Sequence, residues 1–574
     1  MSMAMLSPVT PRRRTVYTPT VADSVHASEK TRFLDTLREK GDGDSDSDLD
    51  EEEGGRDTFA VEENYLSGVK LVVLMFALGL AVFLVALDNT IIDTAVPKIT
   101  DEFKSLNDVG WYSSAYLLTT AGTQLLFGKF YTHFPVKHVY LLSITIFELG
   151  SFICGAAPSS NIFIIGRAIA GVGNAGIFSG GLVIIAHTVP LEKRAMFNAM
   201  IGGLGGIGSV SGPLLGGIIT EKLSFRLCFY LSVPLGMITL VLTVLLLKIR
   251  TSGAPSKGTS TLTLRDFDPW GNLVFVPSMV TLLLAVQWGG SVYSWLSLNI
   301  LGLLAISLVL LGIFIRIQSW ADERATIPPR IFKQRTIWSS SLYALCIGGS
   351  FNIITMCLPI WFQVIHGDTP EASGVNTLPV IIALVGGCIC AGALVGVVGY
   401  CAPFMVISSI LTVLGSGLLG GLLKVASTPS DWLFSEIISG FGVGLGLQQP
   451  MLAAQTVLEL KDVAVGTAIV MFANTLGGAL FVAIAQSVFT SGLVAGIVAT
   501  VPGVSPKIVL TDGANTLKDV IAPEYLSEVL LEYNKALMMS FYVSMGLGGL
   551  ALLGACAVEW RSVKGKNAET SMVA

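Results

Sequence analysis

The 574-residue chain is 52% hydrophobic and only 13% charged, with 62 glycines and a mean hydropathy of +0.71, whereas soluble domains carry roughly 25% charged residues. That balance excludes a soluble globular enzyme and places the chain in a lipid bilayer. The formal net charge of −5 says little about partners, because much of the acid lies in one N-terminal stretch, and no basic cluster points to phosphate or nucleic acid.

Residues 1–66 are polar, with Arg12–Arg14 followed by DGDSDSDLDEEE from Asp42 to Glu53. Such blocks of like charge predict a disordered tail, with Ser45 and Ser47 as phosphorylation candidates and plain solvation as the simpler reading. No cleavable leader is expected there, since the tail lacks an apolar stretch of the required length.

From Val69 onward, apolar runs of bilayer-crossing length alternate with short polar breaks. Fourteen are read: about 70–91, 108–129, 138–157, 160–187, 197–219, 226–248, 270–289, 297–317, 338–362, 374–397, 402–423, 432–456, 463–490 and 537–558. With the N-terminus inside, seventeen Lys and Arg fall in inner loops and eight in outer ones, the asymmetry of the positive-inside rule. Both termini are therefore expected in the cytoplasm. The spans divide as a six-helix half (67–250), a central region with spans 7 and 8 (251–337), and a second six-helix half (338–558). An outer loop is expected at about 491–536, amphipathic over Leu517–Leu531, and a tail at 559–574. Two six-helix halves facing a midplane site is a transporter plan.

Charges inside spans cost about 2.5–3.5 kcal/mol each at mid-bilayer and are functional candidates by default. Asp88 lies in LDNTIIDTAVP (Leu87–Pro97) of span 1, and Arg167 in GRAIAGVGNAG (Gly166–Gly176) of span 4. Glu148 is within span 3, His187 ends span 4, and Glu436 opens span 12 near enough to the interface to be solvated. For Asp88 and Glu436, helix capping or interfacial snorkelling stands level with function. Arg167 is deeper and needs a partner or a wet cavity. An acid and an arginine meeting there permit a carboxylate whose protonation follows the conformational state.

Span 5 contains GSVSGPLLGG, in which Gly208, Gly212 and Gly216 recur every four residues and so line one helix face. In hydrocarbon such a face lets another backbone approach closely, and Pro213 weakens the helix beside it. Alone, this is more often a packing face than a moving part.

These residues resemble a known family closely. From about Val69 to Lys566 the chain is similar to major facilitator superfamily transporters of the fourteen-span drug:proton antiporter group, specifically fungal toxin-efflux members. LDNTIIDTAVP resembles the family's span-1 signature. Arg167 with Gly171 and Gly173 resembles the span-4 motif whose arginine is implicated in proton transfer. Gly208, Gly212, Pro213, Gly216 and Gly217 match the span-5 antiporter motif. QWGG (Gln287–Gly290), LPIWFQ (Leu358–Gln363), GLGLQQP (Gly444–Pro450) and EWRSVKGK (Glu559–Lys566) agree further. The resemblance implies an all-α integral membrane protein with the major facilitator fold: fourteen helices as two six-helix bundles plus two linking helices. It also implies proton-coupled export of amphipathic organic compounds by alternating access, with Asp88 and Arg167 in proton coupling.

One loop departs from the pattern. After span 2 the family carries Gly, Asp, Arg, Gly and basic residues, whereas this chain reads GKFYTHFPVKHV from Gly128. Thr132 takes the acid's place, His133 the arginine's and Pro135 the second glycine's, so a charge-pair latch cannot be carried over to these positions.

Polar and aromatic residues expected to face a central cavity are Tyr116, Gln124, Asn174, Asn352, Gln363, Gln448, Gln455 and Asn474, with Trp361 and Gln449 beside them. Amides and aromatics in an apolar cavity suit a neutral or weakly charged organic molecule. The opposing reading is interfacial belts and interhelical bonds; for Trp111 and Tyr112 the belt is favoured, and for Gln448 and Gln455, seven apart on one face, the cavity. No Walker loop appears, so ATP does not drive transport directly, and neither the eight cysteines nor the five histidines have metal-ligand spacing. No cofactor beyond a proton gradient is expected, and the partners are lipid, protons and an amphipathic small molecule, with the chain monomeric. The cell membrane is the expected location, with a vacuolar or vesicle membrane as the other option. A nutrient carrier, for example of basic amino acids, and a non-transporting sensor are the competing functions.

Overall fold

The computed structural model describes residues 68–105, 108–247, 264–290, 293–425, 427–501 and 523–564. The N-terminal segment with Ser45 and Ser47, most of the 251–268 loop and the tail beyond 564 lie outside them.

In hydrocarbon every backbone amide must bond within the protein, and this chain meets the requirement with helices. The first half comprises α1 (Val69–Phe103), α2 (Val109–His133), α3 (Val136–Ala156), α4 (Ser160–Thr188), α5 (Leu191–Lys222) and α6 (Phe225–Leu246). Then come α7 (Pro269–Trp288) and α8 (Leu298–Ala321). The second half comprises α9 (Arg335–Trp361), α10 (Leu378–Val398), α11 (Ala402–Leu422), α12 (Pro429–Val457), α13 (Val463–Thr500) and α14 (Pro523–Ala557). Thirteen of these are long and apolar enough to cross a bilayer. The other, α2, is long enough at 25 residues but more polar, and it packs between α4 and α13.

Several helices outrun their apolar runs, because hydrogen bonding does not stop where hydrophobicity does. The outer loop expected at about 491–536 is correspondingly shorter: α13 continues to Thr500 and α14 begins at Pro523. A second difference lies in α12. It breaks at Gln448 into Pro429–Leu447 and Gln449–Val457, where Pro450 withholds an amide donor from the preceding turn.

Each half has its own core. In the first, α1 packs on α5, and α4 on α2 and α3; in the second, α9 packs on α13 and α14, and α12 on α10 and α11. The halves meet through α5 on α10 and α2 on α13. Small residues allow the approach: a Cβ on Gly128 of α2 would lie 2.7 Å from that of Ala468 on α13, and one on Gly392 of α10 would lie 2.7 Å from that of Ala199 on α5. The linking helix α7 lies against α2 and α13, with α8 on its far side exposing Leu308, Val309 and Ile315.

Candidate functional site

Asp88 and Arg167 meet. Asp88 sits 19 residues after the start of the 35-residue α1, far from a capping position, and is 4% exposed; Arg167 is fully buried. Arg167 Nη1 donates to Asp88 Oδ2 at 2.6 Å. Its Nε donates to the Tyr112 carbonyl at 2.9 Å, and its Cζ stands 4.4 Å from the centre of the Tyr116 ring. The guanidinium is thus held by a charge, a backbone dipole and an aromatic face, three features suited to a weakly hydrated planar cation. Arg167 Nη2 and the Tyr116 hydroxyl have no hydrogen-bond partner among the described residues.

Tyr112 does not join an interfacial belt. It is fully buried, its hydroxyl hydrogen-bonded with Ser105 at 2.6 Å and Ser160 at 3.0 Å, and Ser160 donates to Asp108 at 2.6 Å. This chain ties the start of α2 to the start of α4 beside the ion pair. The four-residue spacing of Tyr112 and Tyr116, which puts both on one face, was the available signal.

The span-5 glycines face α1. A side chain on Gly208 would strike the Phe83 carbonyl, one on Gly212 the Thr90 hydroxyl and the Ile91 amide, and one on Gly216 the Thr94 hydroxyl. Pro213 lies within the helix between them. Gly217 has open space instead, since one step along the helix turns it off the stripe. The close α1–α5 contact therefore involves three of the four motif glycines, and it runs along the helix that carries Asp88.

The cavity candidates separate. Gln124 bonds Ser179 at 2.6 Å and the Ala175 carbonyl at 3.3 Å, and Asn174 donates to Thr120 at 3.2 Å, so both tie α2 to α4. Asn474 donates to the Ala344 carbonyl, tying α13 to α9. Asn352 bonds back to Gly348, and Gln363 donates to Ser373. Gln448, at the helix break, lies over Gly202 of α5 and so spans the two halves. Gln455 is buried with neither amide atom hydrogen-bonded. The break removes the shared face expected of Gln448 and Gln455.

Two further acids are buried. Glu148 lies over Gly236 of α6, with neither oxygen hydrogen-bonded. Glu436, expected to be solvated, is fully buried.

The departed loop after span 2 is filled differently. His133 Nδ1 is 3.0 Å from the Lys129 carbonyl and Thr132 donates to the Gly128 carbonyl. Phe130, His133 and Phe134 gather around Phe267, at ring separations of 5.7, 5.2 and 5.4 Å. Buried Lys129 donates to the Glu323 carbonyl beyond α8 at 3.2 Å. Arg330 then bridges Glu323 at 2.8 Å and Asp462, at the start of α13, at 3.0 Å. Those two carboxylates hold the Arg330 guanidinium protonated well above its ordinary range. Sequence reasoning missed this path because its members lie in three distant stretches of the chain: Lys129 within α2, Glu323 and Arg330 between α8 and α9, and Asp462 just before α13.

All eight cysteines are free thiols, and no cluster of three potential metal ligands occurs among the described residues.

The Major Facilitator Superfamily model matches residues 78–482. The chain is 48% identical over 506 residues to the MFS-type efflux pump MFS1 of Trichophyton rubrum, covering 88% of this chain and 94% of that protein. It is 45% identical over 505 residues to the aspyridones efflux protein of Neocamarosporium betae, covering 88% and 89%. Its fold is similar to that of the crystal structure of the human organic anion transporter MFSD10, with a TM-score of 0.57 at 13% identity, over 86% of this chain and all of that one.

Proposed function

Because the chain belongs to the major facilitator superfamily and is an efflux transporter, we propose that it uses a proton gradient to export a secondary metabolite, mycotoxin or xenobiotic of amphipathic character. The observation that carries the proton coupling is the buried Asp88–Arg167 pair. Ionised, Asp88 holds Arg167 and keeps α1 and α4 together. When Asp88 takes a proton the charge attraction is lost, and Arg167 keeps only the Tyr112 carbonyl and the Tyr116 face. The α1–α5 glycine seal lets α1 shift without opening a leak, since small residues slide where interlocked side chains would not. Alternation between the two arrangements exchanges a proton on one side for substrate on the other.

On this reading the end carrying the α2–α3 connection and both termini face the cytoplasm, which the Lys and Arg asymmetry supports, and the chain resides in the cell membrane. The substrate class is supported by the relative named for aspyridones export and by buried amide and aromatic groups with unused hydrogen-bonding atoms, Tyr116 and Gln455.

The test is retention of Nile red in yeast expressing the chain, with and without a proton uncoupler. Cells expressing it should hold less dye, and the uncoupler should erase the difference. A difference that survives collapse of the gradient overturns proton coupling.

A further inference from the structure

The two halves repeat each other in contact register. In the first half, a Cβ on Gly171 would meet the Tyr116 carbonyl of α2, and one on Gly173 would meet Phe147 of α3. In the second half, Gly440 stands likewise against the Val380 carbonyl of α10, and Gly442 against Leu411 and Thr412 of α11. Gly150 against Ala170 is repeated by Gly415 against Ser439. These matches align α4 with α12 residue by residue. Arg167 lies four residues before Gly171, and Glu436 lies four residues before Gly440, so Glu436 occupies the second half's copy of the arginine position.

The partner position is also fixed. Gly208 rests on the Phe83 carbonyl of α1, as Gly477 rests on the Leu345 carbonyl of α9. Asp88 follows Phe83 by five residues and Ser350 follows Leu345 by five. Ser350 is hydrogen-bonded with Ser544 of α14 at 2.6 Å. The second half therefore has a carboxyl on its fourth helix and no cation opposite.

Glu436 is fully buried; the Val380 amide of α10 is a neutral donor beside its carboxyl, yet neither oxygen meets a hydrogen-bond donor in good geometry. The helices packed on α12 offer no countercharge within the bundle. α10, α11 and α13 carry no charged residue, α9 carries only Arg335, at its start, and α5, which meets α12 beyond the break at Gln448, carries Glu192, Lys193, Arg194, Glu221 and Lys222 in its first and last turns. Their other titratable groups are Tyr343, Cys346 and Cys357 on α9 and Cys388 and Cys390 on α10. At the end nearest Glu436, Asp431 belongs to a capping box with Thr428, His366 pairs with Asp368, and Glu371 and Lys424 lie in connections. An ionised carboxylate cannot be kept dry without a partner, whereas the neutral acid can.

We propose that Glu436 is a second proton-binding carboxyl of this transporter, carrying its proton in this conformation and exchanging it with water when α10 and α12 move. The inference rests on the proton-coupled reading above and adds a second titrating site to it. The first site is a carboxylate neutralised by an arginine, the second a carboxyl neutralised by its own proton.

Infrared spectroscopy of the purified chain in detergent tests it without any transported compound. Wild type at neutral pH should show the C=O stretch of protonated carboxylic acids, exchanging in D₂O and lost as pH rises. E436Q should lose a share of that band that E148Q retains, with the remaining share assigned by E148Q to Glu148. A band unchanged in E436Q overturns the inference. So does a Glu436 share that neither exchanges nor titrates, because that describes a permanently protonated packing group. If E436Q does not fold, exchange and titration of the band that E148Q retains still decide the point. In dye efflux, E436Q should bind Nile red yet release fewer protons on binding than wild type. A chain that moves no dye but has a titrating Glu436 would sink the export reading and leave this one standing.

Discussion

Removing one partner of the Asp88–Arg167 pair should be worse than removing both, and the two single losses should differ. At an effective dielectric of about 20, unit charges 2.6 Å apart attract by about 6 kcal/mol, much of it offset by the cost of burying both groups. Deleting one partner leaves that burial cost uncovered, at about 3–5 kcal/mol. Asp88→Asn strands a guanidinium that cannot be deprotonated, so the full cost should appear at every pH. Arg167→Ala strands a carboxylate, which can shed its charge by taking a proton, so its cost should shrink on acidification. The double variant strands neither charge, and a cycle of the four proteins should return a coupling larger than either single loss, at least about 3–5 kcal/mol. Equilibrium unfolding in mixed detergent micelles at two pH values measures all four, and Nile red efflux run alongside should be lost in every variant. Additive single losses would refute the ion-pair reasoning, and gradient-driven efflux by Arg167→Ala would refute its role in coupling.

Gly212→Val should abolish efflux while the protein still reaches the membrane, because the new side chain meets Thr90 and Ile91 of α1; Gly217→Ala, facing open space, should transport normally. Measuring dye retention against surface amount checks both, and a defect at Gly217 equal to that at Gly212 would refute the seal as drawn. Arg330→Ala should leave folding intact but raise labelling of a cysteine placed at Ala464 by a membrane-impermeant thiol reagent, since Arg330 links Glu323 to Asp462 at that end. Unchanged labelling would show that the link does not hold α2 against α13.

The architecture was legible because lipid leaves so few options. Runs of about twenty apolar residues must be helices, and the two halves with a linking pair followed from where the polar breaks fall. The ion pair was legible in kind, since Arg167 needed a partner at its depth, and Asp88 was the acid in a neighbouring signature. What could not be read was which polar groups point where. Gln124 and Asn174 look on paper like cavity residues but spend their amides joining α2 to α4, and Tyr112 looks like a belt residue because it lies near the end of a span. Each is decided by the rotation of one helix against another, which no period within a single helix encodes. Glu436 was placed too near the interface for a related reason: α12 starts earlier than its apolar run, so the acid sits a full two turns inside.

The linking helices matter to the end of the bundle where the expected charge latch is missing. With the acid position held by Thr132 and the arginine position by His133, α2 has no charge at those positions to reach across to α13, and its cation at that end, Lys129, bonds the Glu323 carbonyl instead. The structure supplies the connection from outside α2. Phe267, just before α7, gathers the aromatic side chains at the end of α2, and Glu323, just after α8, joins Lys129 to Arg330 and through it to Asp462. Both ends of the α7–α8 pair thus bear on the α2–α13 contact, and α7 itself packs against both helices. In the proposed alternating-access cycle, partly exposed pairs such as these, weak singly, would release without a large barrier, as a gate that opens once per cycle requires. The aromatic cluster, being apolar, should hold equally at any ionic strength, whereas the Arg330 bridges should loosen as salt screens them.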